Sequence, residues 1–187
     1  NNQLSERCSY LNGKKEGIRE VWHENGVLTG RCNYINNKKE GLCEQWYEDG
    51  QLCESCNYTN DKKNGLFQSW DENGQLLERS KYDKGKKEGL FQEWHENGQL
   101  RKQCTYVNGK KEGLFQSWFI TGEPRDRCYY LNGEMNGLFQ SWSESGDAWV
   151  WCNYVNGKKE GLYQSWNGEG DLNYECYYLD GKKIPVP

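Results

Sequence analysis

Gly89-Leu90-Phe91-Gln92-Glu93-Trp94-His95-Glu96-Asn97-Gly98-Gln99-Leu100 is the stretch that decides the fold. It reads as a strand, a tight Glu-Asn-Gly turn and the start of a second strand. Moving 24 residues upstream gives Gly65-Leu66-Phe67-Gln68-Ser69-Trp70-Asp71-Glu72-Asn73-Gly74-Gln75-Leu76. Moving 24 downstream gives Gly113-Leu114-Phe115-Gln116-Ser117-Trp118 with a drifted turn. A fixed period of this length marks a repeat architecture. Tyrosine recurs from Tyr10 to Tyr178, tryptophan from Trp22 to Trp166, and glycine in two columns beginning at Gly17 and Gly26, all without insertion or deletion. A cysteine column runs Cys8, Cys32, Cys56, Cys104, Cys128, Cys152, Cys176, broken once by Ser80. Residues 1–187 therefore read as a single array of seven full units with a partial unit at each end.

Composition bounds the function. The chain has 187 residues, only 34% of them hydrophobic and 28% charged, which is close to a disordered profile. A net charge of −4 and the nine Trp and thirteen Tyr argue instead for a small aromatic core repeated many times. No apolar run is long enough to span a membrane as a helix. The chain begins at Asn1 without Met, as a processed product or a fragment would. Asn57-Tyr58-Thr59 fits the glycosylation acceptor pattern.

The local chemistry points to an all-β chain. Glu72-Asn73-Gly74 marks one kind of turn and Asn108-Gly109 or Asn156-Gly157 the other. The runs between turns suit strands and are too short for helices. Consecutive hairpins then form an elongated antiparallel sheet, with about 9.6 Å per repeat. Which residues share a face depends on the loop. A three-residue Glu72-Asn73-Gly74 loop pairs Asp71 with Gln75 and collects Leu66, Trp70, Leu76 and Tyr82 on one face, with Phe67, Ser69, Leu77 and Arg79 on the other. A two-residue loop instead opposes Phe67 to Ser80 and Gly65 to Tyr82. The first is favoured because it gathers the Trp, Leu, Cys and Tyr columns together. Like residues would stack into ladders, each Trp near the Trp one repeat away.

The phrase Tyr-x-Asn-Gly-Lys-Lys-x-Gly-Leu…Trp…Asn-Gly-x-Leu resembles the MORN repeat, in its longer variant form, over essentially the whole chain. The resemblance implies a ribbon of β-hairpins that serves as a scaffold, an oligomerisation unit or a membrane-proximal module; some bacterial members are antitoxin-like. It implies no catalytic residues and no cofactor. The cysteine column departs from the usual pattern and leaves the compartment open.

Charge and cysteine supply the candidate sites. One edge carries Lys14-Lys15, Lys38-Lys39, Lys62-Lys63, Lys86-Lys87, Lys110-Lys111, Lys158-Lys159 and Lys182-Lys183, while the alternate turns carry Glu24, Glu48-Asp49, Glu72, Glu96, Glu123, Glu144 and Glu169. The expectation is a basic rim opposite an acidic rim, the basic one suited to anionic lipid, a polyanion or the acidic rim of a neighbouring ribbon. Nucleic acid is not expected, given the net negative charge and the absence of a base-reading motif. Equivalent cysteines about 9.6 Å apart are too distant for a disulfide, so the column reads as small buried hydrophobes. Cys43 and Cys56 form the exception: under the two-residue loop they face one another and could bond. Cys53-x-x-Cys56 resembles half a zinc or redox motif, but its odd spacing sends the thiols to opposite faces, and His23 and His95 are too far apart to share a metal.

The repeat degrades after Trp118. Phe119-Ile120-Thr121 replaces the acidic turn, Pro124 a leucine, Glu134-Met135 a lysine pair, and Ala148-Trp149-Val150-Trp151 a polar strand. Trp149 and Trp151 are expected on one face, forming with Phe119, Tyr129 and Trp142 an aromatic patch for a partner. The C-terminal Ile184-Pro185-Val186-Pro187 reads as a blocked sheet edge and the N-terminal edge as an open one. No Ser/His/Asp or Cys/His set and no phosphate loop is present, so an enzyme is not expected. The reading is a non-enzymatic scaffold for protein interaction or self-association. A filament subunit and an antitoxin-like binder are the alternatives. Placement is cytoplasmic, or else in an extracellular or cell-surface fibre.

Overall fold

The structure is a computed structural model that describes residues 5–185; Val186 and Pro187, and with them most of the expected C-terminal block, lie outside the described residues. Among the described residues every element is a strand, and every pairing is antiparallel, between strands that are adjacent in the chain or separated by one two-residue strand. The chain forms two compact units, Asn1–Glu88 and Gly89–Pro187. The first holds β1 (Glu6–Leu11), β2 (Lys14–Trp22), β3 (Leu28–Ile35), β4 (Lys38–Trp46), β5 (Leu52–Thr59), β6 (Lys62–Trp70), β7 (Leu76–Asp83) and β8 (Lys86–Lys87). The second holds β9 (Gly89–Trp94), β10 (Leu100–Val107), β11 (Lys110–Trp118), β12 (Pro124–Leu131), β13 (Glu134–Met135), β14 (Gly137–Trp142), β15 (Ala148–Val155), β16 (Lys158–Trp166), β17 (Leu172–Leu179) and β18 (Lys182–Ile184).

Two turn types alternate, and each follows from its residues. The lysine turns are two-residue loops whose central residues both have positive φ, as at Asn108 (51°) and Gly109 (81°). Asn and Gly tolerate that region, and its twist matches that of the flanking strands. Lys84 takes the same conformation at 48°, carried by the Gly85 that follows it. The acidic turns are three-residue loops: Asp71 N donates to Gln75 O at 3.0 Å, and Gly74 N to Asp71 O at 3.0 Å. Phe119-Ile120-Thr121-Gly122 keeps the same geometry, with Phe119 N donating to Glu123 O and Gly122 N to Phe119 O, both at 2.9 Å. Backbone geometry therefore survives where the acidic residues are lost.

The face assignment favoured from sequence is corrected by a bulge. Trp70 does pair with Leu76, as a three-residue loop requires, but Ser69 pairs with Glu78, so Leu77 is an extra residue. Beyond it Phe67 opposes Ser80 and Gly65 opposes Tyr82, the pairing of the alternative reading. One inserted residue moves every later side chain to the other face. Consequently Phe67 is buried, with 7% of its surface exposed, and Leu66 stands out at 42%. The Gly-Leu pair adds a second irregularity. Cys152 pairs with Tyr163 and Asn153 with Glu160, so Gly161 and Leu162 are both extra. An even insertion leaves the faces unchanged and pushes the leucine outward.

The core is thus a stripe along one face of the sheet rather than a layer between two. In the first unit it holds Cys32, Tyr34, Cys43, Cys56, Phe67 and Ser80, and in the second Phe91, Cys104, Ser117, Cys128, Ser141, Cys152 and Cys176. The expected Trp ladder is replaced by edge-to-face contacts between Phe and Tyr 15 residues apart: Phe67–Tyr82, Phe91–Tyr106, Phe115–Tyr130 and Phe139–Tyr154, with centroids 5.8–6.2 Å apart. Burial raises the phenol pKa of Tyr58, Tyr130 and Tyr154 to about 12 and that of the Cys128 thiol to about 11.

Candidate functional site

Each Lys-Lys-Glu triplet does three separate jobs. The first lysine is exposed, as at Lys14, Lys38, Lys62, Lys86, Lys110 and Lys158. The second turns onto the core face and lies over rings. Lys111 Nζ is 4.6 Å from the Phe115 centroid and 4.7 Å from that of Tyr130; Lys159 Nζ is 4.4 Å from Tyr163 and 5.1 Å from Tyr178. Lys15, Lys39 and Lys63 repeat the arrangement over Tyr34, Tyr58 and Phe67. Lys87 pairs with Glu78 at 2.9 Å. The glutamate accepts a backbone N–H from the next lysine turn: Glu16 from Asn36 and Glu40 from Asn60 at 2.9 Å, Glu112 from Asn132 and Glu160 from Asp180 at 2.8 Å. The basic rim expected from sequence therefore loses nearly half its members. In pairs such as Lys110-Lys111 one lysine faces solvent at the edge and its neighbour lids the aromatic stripe, where the ring quadrupoles attract the ammonium, whereas both Lys182 and Lys183 are exposed.

On the opposite edge, Glu48, Asp49, Glu72, Glu96, Glu123, Glu144 and Glu169 are all exposed. Side chains stitch some of the acidic turns to the one that follows: Tyr47 Oη donates to Trp70 O at 2.8 Å, Asn97 Nδ2 to Ile120 O at 2.8 Å, and His95 Nε2 lies 3.0 Å from Trp118 O. His23 Nε2 lies 3.2 Å from a Glu48 carboxylate oxygen.

The aromatic patch is divided by the sheet. Phe119, Trp142 and Trp149 line one hollow of about 410 Å³ together with Arg125, Asp126 and Ser141. Trp149 is the bulge residue of β15, because Trp142 pairs with Ala148 and Ser141 with Val150. It therefore leans toward Ser141 on the core face. Trp151 neighbours buried Cys152 and points to the other face, edge-on to Trp166 at 5.0 Å. Tyr129 neighbours Cys128 and is likewise on that outer face, 46% exposed. Trp149 and Trp151 do not share a face, contrary to the simple alternation expected.

The outer face carries what the sequence reading placed in the core. Ile18, Leu42, Leu66, Leu90, Leu138 and Leu162 are 37–55% exposed, accompanied by Ile35, Val107, Leu131 and Val155. These columns were legible as regular; their direction was not, because the Leu77-type bulge leaves no mark in sequence.

The cysteine pairing is also corrected. Cys43 sits between Cys32 on β3 and Cys56 on β5, facing both. The disulfide joins Cys32 to Cys43, with Cα atoms 4.2 Å apart, and Cys56 is a free, fully buried thiol. Cys43 stands outside the 24-residue cysteine column, in the column that Phe67 and Phe91 occupy, so the spacing argument against bonds within the column did not apply to it.

The family model for the MORN repeat variant matches four consecutive repeats, at residues 15–36, 39–60, 63–84 and 87–108. No curated protein matches the chain. Among solved structures, the chain is similar to "Crystal Structure of TarM", at 15% identity and a TM-score of 0.33, over 57% of this chain and 20% of that one. A likeness of that degree carries no argument.

Proposed function

We infer that this chain, which belongs to the MORN repeat variant family, is a non-enzymatic β-repeat scaffold that mediates protein interaction or assembly. The observation that supports this reading is the outer face. Leu42 and Leu66 in the first unit, and Leu90, Leu138 and Leu162 with Tyr129 and Trp151 in the second, stand exposed on the outer face, where exposed apolar side chains suit contact with a partner. The outward lysines favour a second contact, with anionic lipid or an acidic protein surface. Because the free basic and acidic groups lie at opposite turns, they also suit rim-to-rim association into a filament. The Cys32–Cys43 bond favours an extracellular or cell-surface setting over a cytoplasmic one.

Sedimentation velocity over a concentration series, at low and high salt and with and without reductant, tests the reading. The expected result is concentration-dependent growth that Leu138→Asp with Leu162→Asp suppresses while the circular dichroism stays unchanged. A chain that remains monomeric throughout and captures no partner that the double variant fails to capture would refute it.

A further inference from the structure

We propose that the hollow beside Gly30 is a recognition site for an alkyl carboxylate, built by the omission of a carboxylate that the neighbouring repeats supply themselves. The inference goes beyond the scaffold reading and does not rest on it.

The equivalents of Gly30 in the repeats nearest to it are Glu6, Glu54 and Glu78, and farther along the array the position holds Lys102, Asp126, Val150 and Tyr174. Each of the three glutamates places its carboxylate on a cation of the core face: Glu6 Oε1 is 2.8 Å from Arg19 Nε, Glu54 Oε1 is 3.6 Å from Lys63 Nζ, and Glu78 Oε1 is 2.9 Å from Lys87 Nζ. Lys39 is the repeat equivalent of Lys63 and Lys87. Among the described residues it meets no carboxylate, and its Nζ lies 4.8 Å from the Tyr58 ring. The cation has been kept and its anion removed.

Nothing in the backbone calls for glycine here. Gly30 has no positive φ and follows the bulge residue Thr29, paired with Val21 on one side and Gln45 on the other, as Glu78 follows Leu77. A Cβ built on it would meet only Val21 Cβ, at 3.9 Å. The space is enlarged by a second truncation, since Cys43 stands where Phe67 and Phe91 stand in later repeats. Together they leave a hollow of about 300 Å³ whose lining includes Arg19, Thr29, Tyr34, Lys39 and Gln45. The carboxylate at its margin, Glu44, is occupied by Arg31 at 2.7 Å. A half-sheltered ammonium beside a hollow at the position where neighbouring repeats carry a glutamate selects an alkyl carboxylate, because a charge-assisted bond at such a position is stronger than one in open water. The carboxylate would come from an acidic side chain of a partner or from a free small acid.

Propionate reproduces the missing glutamate side chain and is the probe. Titrated into the intact chain and followed by ¹H–¹⁵N correlation spectra, it is expected to give saturable shifts centred on Gly30, Lys39 and Gln45, with a Kd on the order of 1–10 mM for so small a ligand. Propionamide, which has the shape without the charge, should bind at least tenfold more weakly. Gly30→Glu should abolish the response by filling the hollow, with an unchanged strand signature. Lys39→Gln should weaken binding at least tenfold while leaving the spectrum of the second unit in place. Glutamate capped at both ends separates the sources: binding at the same residues assigns a partner's side chain, and its exclusion while propionate binds assigns a free acid. Equal responses to propionate and propionamide, or retention of the propionate shifts in Gly30→Glu, would overturn the proposal.

Discussion

Lys110 and Lys111 are adjacent and chemically identical, yet the structure gives them different work, and replacing each by Met separates the two roles. Met keeps the length and apolar stem of lysine and removes only the charge. Lys111 Nζ lies 4.6 Å from the Phe115 centroid and 4.7 Å from that of Tyr130. A cation over a ring contributes about 0.5–1 kcal/mol when exposed and about 2 when desolvated. A half-buried ammonium shared by two rings should therefore contribute about 1–2 kcal/mol. Lys110 is exposed at the turn, and its loss should cost within about 0.5 kcal/mol. For a chain of this size, 1 kcal/mol corresponds to about 2–4 °C in Tm. Lys111→Met should lower Tm by about 2–8 °C, and Lys110→Met by less than about 2 °C. Thermal and urea unfolding followed by tryptophan fluorescence read both. Equal losses in the two variants, or a larger loss at Lys110, would refute the division of labour within the lysine pairs.

Alkaline unfolding follows from the raised tyrosines. Burial holds Tyr58, Tyr130 and Tyr154 at about 12 against an ordinary value of 10.0. The folded state thus keeps phenolic protons that the unfolded chain gives up, and the stability this confers is complete below about pH 10 and lost as pH rises toward 12. Tm measured from pH 7 to 12 should be flat on this account until about pH 10 and then fall. Phe91→Ala should cost about 3–5 kcal/mol in urea unfolding and Leu90→Ala within about 0.5, because Phe91 is 8% exposed and Leu90 is 50% exposed; the reverse order would show that the bulged register is wrong. Proteolysis without reductant and mass mapping should recover a Cys32–Cys43 linkage, and a Cys43–Cys56 peptide in its place would refute the observed pairing.

The sequence by itself determined the repeat, the strands and both kinds of turn. Asn-Gly at the lysine turns and the glycine closing each acidic turn have dihedral demands that few residues meet, so their positions are legible one residue at a time. The sequence also determined that alternate turns differ in sign. Tertiary structure decided which way everything points. Leu77 is an ordinary leucine with no mark of a bulge, yet its insertion opposite the Ser69–Trp70 step sends Phe67 inward and Leu66 outward. The same register brings Cys43 against Cys32, parts Trp149 from Trp151, and folds Lys111 over Phe115 while Lys110 stays in water. Side-chain direction in a strand has a period of two, so one unpaired residue inverts it, and whether that residue stays unpaired depends on how well the two resulting faces pack across neighbouring strands.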